Sequence, residues 1–301
     1  MCENGRLEVS MAGISSYCMG CIIRKQEERI RKFTDEYKKR QYMKELCRLI
    51  GESDSEASAP VLVAENEVLL EKYFGIKDDY AYEKLLFNEL MLRYEDELWT
   101  KIIKSDDPLI DALKYAQVGN YIDFGALRNV EQDMLKELLE QAKDNPVDQS
   151  EYENLKNDLE KAHTLVYMTD NCGEIVLDKL LIRVIKELYP HIQITALVRG
   201  ENVLNDATEE DASFVGLDKL VKVVGNGSKV AGTPLDRISK AARDMLEQAD
   251  VMIAKGQGNF ESLNTSGLNI YYLFLCKCEW FEMRFGLKQY APVLINDKHL
   301  K

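Results

Sequence analysis

Three short polar clusters hold the residues of this chain best suited to chemistry: Asp170-Asn171-Cys172-Gly173-Glu174, Asn205-Asp206 and Lys255-Gly256-Gln257-Gly258-Asn259. Each lies beyond a short apolar run, Thr164 to Thr169, Ile194 to Val198 and Val251 to Ala254, of the kind that forms a buried parallel strand. Asp170, Asn171 and Asp206 offer side-chain oxygens that suit a hard cation. Glu174, in the first turn of the helix that follows, complements the helix dipole. Gly256 and Gly258 let backbone N–H groups close on an anion, with Lys255 as a point charge and Asn259 ending the turn. Arg199 has two open roles, gripping a phosphate or pairing with a carboxylate. This is an inventory for holding a divalent cation against a phosphate.

Each cluster also has a plainer structural role. Asp and Asn are favoured helix caps, and Asp206 with Glu209 spells a capping box. The glycine-rich string reads equally as a tight strand-to-helix turn. It is neither a Walker loop nor the dinucleotide fingerprint, whose spacings differ.

The elements around the clusters give them a common place. Beyond residue 163 strands alternate with helices. The strands expected are Thr164 to Thr169, Gln193 to Val198, Leu220 to Val224, Ala249 to Ala254 and Ala291 to Ile295. The helices expected between them are Ile175 to Leu188, Asp206 to Phe214, Pro234 to Gln248 and about Glu261 to Cys276. Alternation of this kind predicts an α/β fold, a doubly wound, mainly parallel sheet with helices on both faces. Loops leaving the carboxyl ends of such strands share one crevice, and Gly225-Asn226-Gly227-Ser228 adds another loop to its rim. The first half reads as helical: Cys21 to Leu49, Tyr82 to Ile103, a helix opened by Pro108, Asp133 to Ala142 and Tyr152 to Lys161. The chain is therefore expected to divide into a helical region, 1–150, and an α/β domain, 151–301, that binds metal and phosphate.

Composition narrows the partners. A chain of 301 residues that is 46% hydrophobic can bury a substantial core, and its net charge of −13 argues against nucleic acid, which demands a basic patch. No apolar run approaches the roughly 20 residues that span a bilayer, and Met1 to Gly5 is too polar for a signal peptide. Seven cysteines in a chain this long fit reduced thiols in a cytoplasm better than a disulfide scaffold. Cys18-Met-Gly-Cys21 is a lone CxxC, and Cys276-Lys-Cys278 lacks the spacing of a second zinc knuckle; metal, redox and packed-thiol roles stay open. The three histidines, His163, His191 and His299, lie outside the clusters and read as structural.

Taken together, Thr169 to Glu174, Val198-Arg-Gly200 with Leu204 to Thr208, Gly225 to Ser228 and Ala254 to Glu261 resemble the damage-control metal-dependent phosphatases. Cys18 to Cys21, Gly119-Asn-Tyr-Ile-Asp-Phe-Gly125 and Cys278 are similar to the prokaryotic, CxxC-containing branch. The resemblance covers almost the whole chain. It implies a helical amino-terminal region on a Rossmann-like α/β domain, and hydrolysis of small phosphate monoesters such as sugar phosphates or damaged phosphometabolites. It implies Asp170, Asn171 and Asp206 as metal ligands and Lys255 on the substrate phosphate, with Glu174 and Arg199 lining the site. Two departures stand out. Cys172 occupies a position where a small alanine is common, and Glu201-Asn202 replaces a smaller pair on the rim.

The reading is metal-assisted hydrolysis. Mg²⁺ or Mn²⁺ suits oxygen ligands, while Co²⁺ and Ni²⁺ bind such sites more tightly. Gly256 to Asn259 and Lys255 would neutralise charge on the phosphoryl group. The rivals are a phosphometabolite- or nucleotide-binding protein without turnover and, ranked last, a methyltransferase, because the first loop has a single glycine and the second strand ends in Arg199.

Overall fold

The computed structural model describes residues 13–121 and 132–300. Met1 to Gly5 and Ile122 to Gly125 of the strings above lie outside the described residues. The chain forms two compact units that divide between Ile76 and Lys77.

Among its described residues the first unit holds three helices, α1 (Ser16–Ile30), α2 (Glu36–Gly51) and α3 (Ala59–Phe74). The single helix expected from Cys21 to Leu49 is broken, because Asp35 caps α2 by accepting from Lys38 N at 2.9 Å. The helices close on Tyr42, Leu46 and Leu70, all buried, and the one deep phenol is satisfied by Asn66 Oδ1 at 2.7 Å. Cys18 and Cys21 lie in the first two turns of α1, half-buried.

The second unit is built on a six-stranded sheet. Its strands are β1 (Thr164–Met168), β2 (Gln193–Val198), β3 (Lys222–Gly225), β4 (Val251–Lys255), β5 (Ile270–Leu275) and β6 (Pro292–Asn296), in the order β3-β2-β1-β4-β5-β6. All neighbours pair in parallel except β5 with β6. This is the strand order of the dinucleotide-binding sheets, and it reverses direction between β1 and β4.

Alternate residues of each strand go to opposite faces. Leu165, Tyr167, Ile194, Ala196, Ile253 and Leu273 join a core with α4 (Ala81–Leu92), α5 (Glu95–Ile103), α6 (Pro108–Gly119), α8 (Gln149–Lys161) and α9 (Glu174–Leu188). Val166, Met168, Leu197, Met252, Ala254 and Phe274 join the other core with α11 (Lys240–Gln248), α12 (Gly256–Leu263) and α13 (Glu279–Phe285). The short helix α10 (Glu209–Phe214) follows β2, and α7 (Gln132–Gln141) precedes a 3₁₀ turn at Ala142–Asp144. Among the described residues no helix is long and apolar enough to cross a membrane.

Several boundaries differ from expectation. The helix expected over Glu261 to Cys276 is two elements: α12 stops at Leu263, Thr265 turns the chain with φ of 69°, and Ile270–Leu275 is the strand β5. Six consecutive apolar residues without a polar face are ambiguous by periodicity, and their aromatic content is what favours the strand. The helix expected from Pro234 starts at Lys240, where Ser239 Oγ caps it, and that expected from Asp206 starts at Glu209. Tyr82 to Ile103 is α4 and α5. The expected divide at 150/151 falls within α8, and the strands begin at Thr164. The compact units part earlier because α4, α5 and α6 pack on α9 of the sheet.

Candidate active site

The loops that leave β1, β2 and β4 meet at the point where the strand order reverses, as open α/β sheets arrange their ligand crevices. Asn171 and Asp206 pair across an isolated antiparallel bridge. The two loops are laced further by Cys172 N to Asn205 O and Ala207 N to Asp170 O, both 2.8 Å. The capping roles open in the sequence fall elsewhere. The residue capping α9 is Gly173, with no side-chain bond. Helix α10 is capped by Thr208, whose N–H and hydroxyl donate to Asp211 Oδ2 at 2.9 and 2.7 Å. Asp170, Asn171 and Asp206 are thus released from capping.

Arg199 lies between the two aspartates, 1% exposed. Its Nε donates to Asp206 Oδ2 at 2.6 Å, Nη2 to Asp170 Oδ1 at 3.4 Å, and Nη1 to Thr233 Oγ1 and Asn259 Oδ1. Of its two open roles, it takes carboxylate pairing. Asn259 is fully buried and ties the ends of β1 and β4 by donating to Thr169 O and Lys255 O.

Lys255 also sits behind the crevice. Its ammonium is buried and donates to Glu174 Oε1 at 2.5 Å, Asp178 Oδ1 at 2.8 Å and Ala116 O at 2.8 Å. Burial alone would lower its pKa, but the carboxylates of Asp178 and Glu174 outweigh that and raise it. Glu174 accepts as well from Asn120 and from the Asn171 backbone and amide. Lys255 therefore fixes Glu174, and Glu174 fixes Asn171.

Gly256 and Gly258 open α12 rather than a free loop. Gly256 has φ of +78°, and a Cβ there would fall 2.0 Å from Asp170 Oδ2, so only glycine lets this carboxylate lie against the helix start. A Cβ on Gly258 would strike Ala231 O at 2.2 Å; its smallness serves packing against the 230–233 segment.

Asp170, Asn171, Asp206 and Gly256 therefore come together, while Arg199, Glu174, Lys255 and Asn259 support them from behind. Three further residues belong to the arrangement. Asn120, at the end of α6, donates to Asp170 Oδ2 at 3.1 Å and accepts from Leu275 N. Asp178, one turn after Glu174, anchors Lys255 and accepts from the Tyr167 hydroxyl at 2.7 Å. Lys277, just past β5, is near enough for its charge to act on Asp170. Lys277 follows β5 onto the rim, a position that a helix over Glu261 to Cys276 does not predict. Cys172 is fully buried; burial, then Asp211, to which its thiol donates, pushes its pKa up. It is not poised for oxidation.

The electrostatics favour a cation. Burial, then Asp206 and Glu174, push the Asp170 pKa well up. Four buried carboxylates (Asp170, Glu174, Asp178, Asp206) face two buried cations (Arg199, Lys255), an imbalance that one divalent ion would match. The Asn171 amide nitrogen is committed to Asp170 and Glu174, both at 2.8 Å, which leaves its oxygen for a ligand. Among the described residues no group of three His, Cys, Asp or Glu side chains is arranged for a metal, because Glu174 is turned to Lys255. The set that fits is two carboxylates and an amide oxygen. A separate open cleft of about 510 Å³, lined by Asn154, Lys161, Asn269 and Lys298 among others, carries none of these clusters.

The damage-control phosphatase ARMT1-like domain matches residues 14–293. The chain belongs to that family. It is 32% identical over 285 residues to a damage-control phosphatase of Pyrococcus horikoshii, covering 93% of this chain and 97% of that protein. It is 34% identical over 209 residues to one of Archaeoglobus fulgidus, covering 68% and 71%. An uncharacterized protein of Methanocaldococcus jannaschii is 31% identical over 297 residues, covering 94% and 95%. The crystal structure of a DUF89 family protein from P. horikoshii superposes with a TM-score of 0.79 at 27% identity, covering 94% of this chain and 99% of that one. The protein is thus a phosphatase of the damage-control, ARMT1-like family.

Within this family member Asp178 gives a pH prediction. Burial, opposed by Lys255, raises its pKa to about 7 from 3.8. Between those values the folded protein holds a proton that the unfolded chain has lost, so stability falls as pH rises from about 4 to 7. Asp178→Asn keeps an acceptor for Lys255 and Tyr167, and its amide replaces an oxygen, Oδ2, that has no partner. Urea midpoints measured from pH 4 to 8 are expected to fall less steeply in Asp178→Asn than in the wild type; parallel curves would refute the assignment.

Proposed function

We propose that the crevice hydrolyses phosphate monoesters, sugar phosphates or damaged phosphometabolites, with a divalent cation held by the carboxylates of Asp170 and Asp206 and the amide oxygen of Asn171. The observation that carries this reading is the convergence of those three residues from two loops in a pocket with excess negative charge. When bound, such an ion supplies Lewis-acid polarisation of a phosphoryl oxygen.

The protein's own groups do the rest. Arg199 holds the two aspartates in place from behind. The start of α12 at Gly256 and Gln257 offers the phosphoryl group N–H donors and the positive end of a helix dipole. Lys277, whose charge acts on Asp170, supplies an ammonium at the rim, the role the family resemblance implies for Lys255. Lys255 instead holds Glu174 in place, so that Glu174 aims the Asn171 amide.

Removal of metal with a chelator is expected to bring hydrolysis of p-nitrophenyl phosphate down to background, and addition of Mg²⁺, Mn²⁺, Co²⁺ or Ni²⁺ singly to restore it. Full activity in the chelated protein would overturn the metal reading. Metal-independent binding of sugar phosphates without turnover would favour the non-hydrolytic one.

A further inference from the structure

Helix α4 carries two buried polar residues on one face, Lys84 and Asn88, one turn apart among the apolar Phe87 and Met91. A lysine is almost never this buried without a partner, and this one has two. Its ammonium donates to Asn202 Oδ1 and pairs with Asp211 Oδ2, each at 2.7 Å. Asn88 accepts from Gly173 N at 2.7 Å and donates to Asp211 Oδ1 at 3.2 Å.

Asp211 is the hub of this arrangement. Besides Lys84 and Asn88 it takes both donors of Thr208, and Cys172 donates its thiol to it. Burial would raise its pKa, yet the bonds from Lys84 and Thr208 pull it below the usual carboxylate value.

The partners of this network fall on both ligand loops. Gly173 and Cys172 follow Asn171 directly. Asn202 and Thr208 bracket Asp206, and Thr208 forms a parallel bridge with Arg199. A buried ion pair contributes little net stability over a well-packed apolar pair. What it adds is fixed geometry, since every donor and acceptor has one place to go.

We propose that Lys84, Asn88 and Asp211 are positioning residues that set the separation between the Asp170–Asn171 pair and Asp206, and thereby the affinity of the site for its cation. The inference rests on the metal reading above. None of the three touches the reacting groups; they act through the backbone of the loops. Residues that orient metal ligands from behind typically change affinity by about 10–100-fold when replaced.

The experiment titrates Co²⁺ alone into the metal-free protein by calorimetry and follows thermal melting without metal in the same samples. The variants are Lys84→Met, Asn88→Ala and the apolar pair Lys84→Met/Asp211→Leu, with Lys84→Arg as the conservative control. Co²⁺ affinity is expected to fall about 10–100-fold in the first three, including any whose metal-free melting temperature matches the wild type, and to be largely kept in Lys84→Arg. Equal Co²⁺ affinity in the wild type and in the folded variants would overturn the proposal while leaving the metal site standing. No Co²⁺ binding by the wild type would overturn both. If Lys84→Met fails to fold, Asn88→Ala, which loses only the bonds to Gly173 and Asp211, decides.

Discussion

Asp206→Asn is expected to lower kcat/KM for p-nitrophenyl phosphate by about 10²-fold or more, the scale of loss when a preorganised charge-stabilising group is removed, with little change in melting temperature. The asparagine keeps an oxygen within reach of Arg199, so the bond now 2.6 Å long survives in neutral form, while the negative charge that would hold a cation is gone. Asp206→Ala separates the two roles. It takes away the same charge and also strips the buried guanidinium of its shortest partner, a kind of loss that costs about 3–5 kcal/mol. Here the cost falls toward the lower end, because Asp170, Thr233 and Asn259 still accept from Arg199. Both variants should be inactive, and the alanine alone should melt early. Full activity in Asp206→Asn would remove Asp206 from the metal site.

Lys255→Met carries the second large effect, and it falls on stability. Glu174 and Asp178 would be left facing each other with no counter-ion in a site closed to water, a penalty of about 3–5 kcal/mol. That is a large part of the 5–15 kcal/mol that typically holds a domain together. The urea midpoint should drop accordingly, and adding Asp178→Asn to Lys255→Met should recover part of it by removing one of the stranded charges. A lysine whose role was to touch substrate phosphate would behave in the opposite way: KM would rise and the midpoint would not move. That pattern would return Lys255 to the crevice surface.

The difference over Lys255 shows where sequence reading reaches its limit. Strand-end position was legible, because the apolar runs before Asp170, Arg199 and Lys255 alternate with helices, and a parallel sheet then gathers their loops. The direction of a side chain was not. Lys255 ends β4, and whether its ammonium turns outward to solvent or inward under α6 depends on acceptors at Ala116 and Asp178, the first of them 139 residues away. For the same reason Asn120, part of the Gly119 to Gly125 string, carries no sequence sign of its role: nothing near it announces Asp170. In sequence Arg199 has two roles that only the position of Asp206 separates. The missed strand at Ile270–Leu275 had a different cause. A strand buried on both faces has no polar face to set its period, and Lys277 was lost with it.

The ties around the crevice also bear on which part of the chain can stand alone. Lys255 reaches back 139 residues to Ala116, Asn120 reaches forward 155 to Leu275, and Lys84 reaches 118 to Asn202. A fragment that starts at residue 151 would contain the whole sheet and every residue first picked out as a ligand. It would nevertheless lack the helix ends that seat Lys255 and Asp170 and the helix that joins the two loops. The part that resembles a self-sufficient nucleotide fold is an incomplete enzyme, and the shortest stretch holding every contact described for this site runs from α4 to Lys277, just past β5.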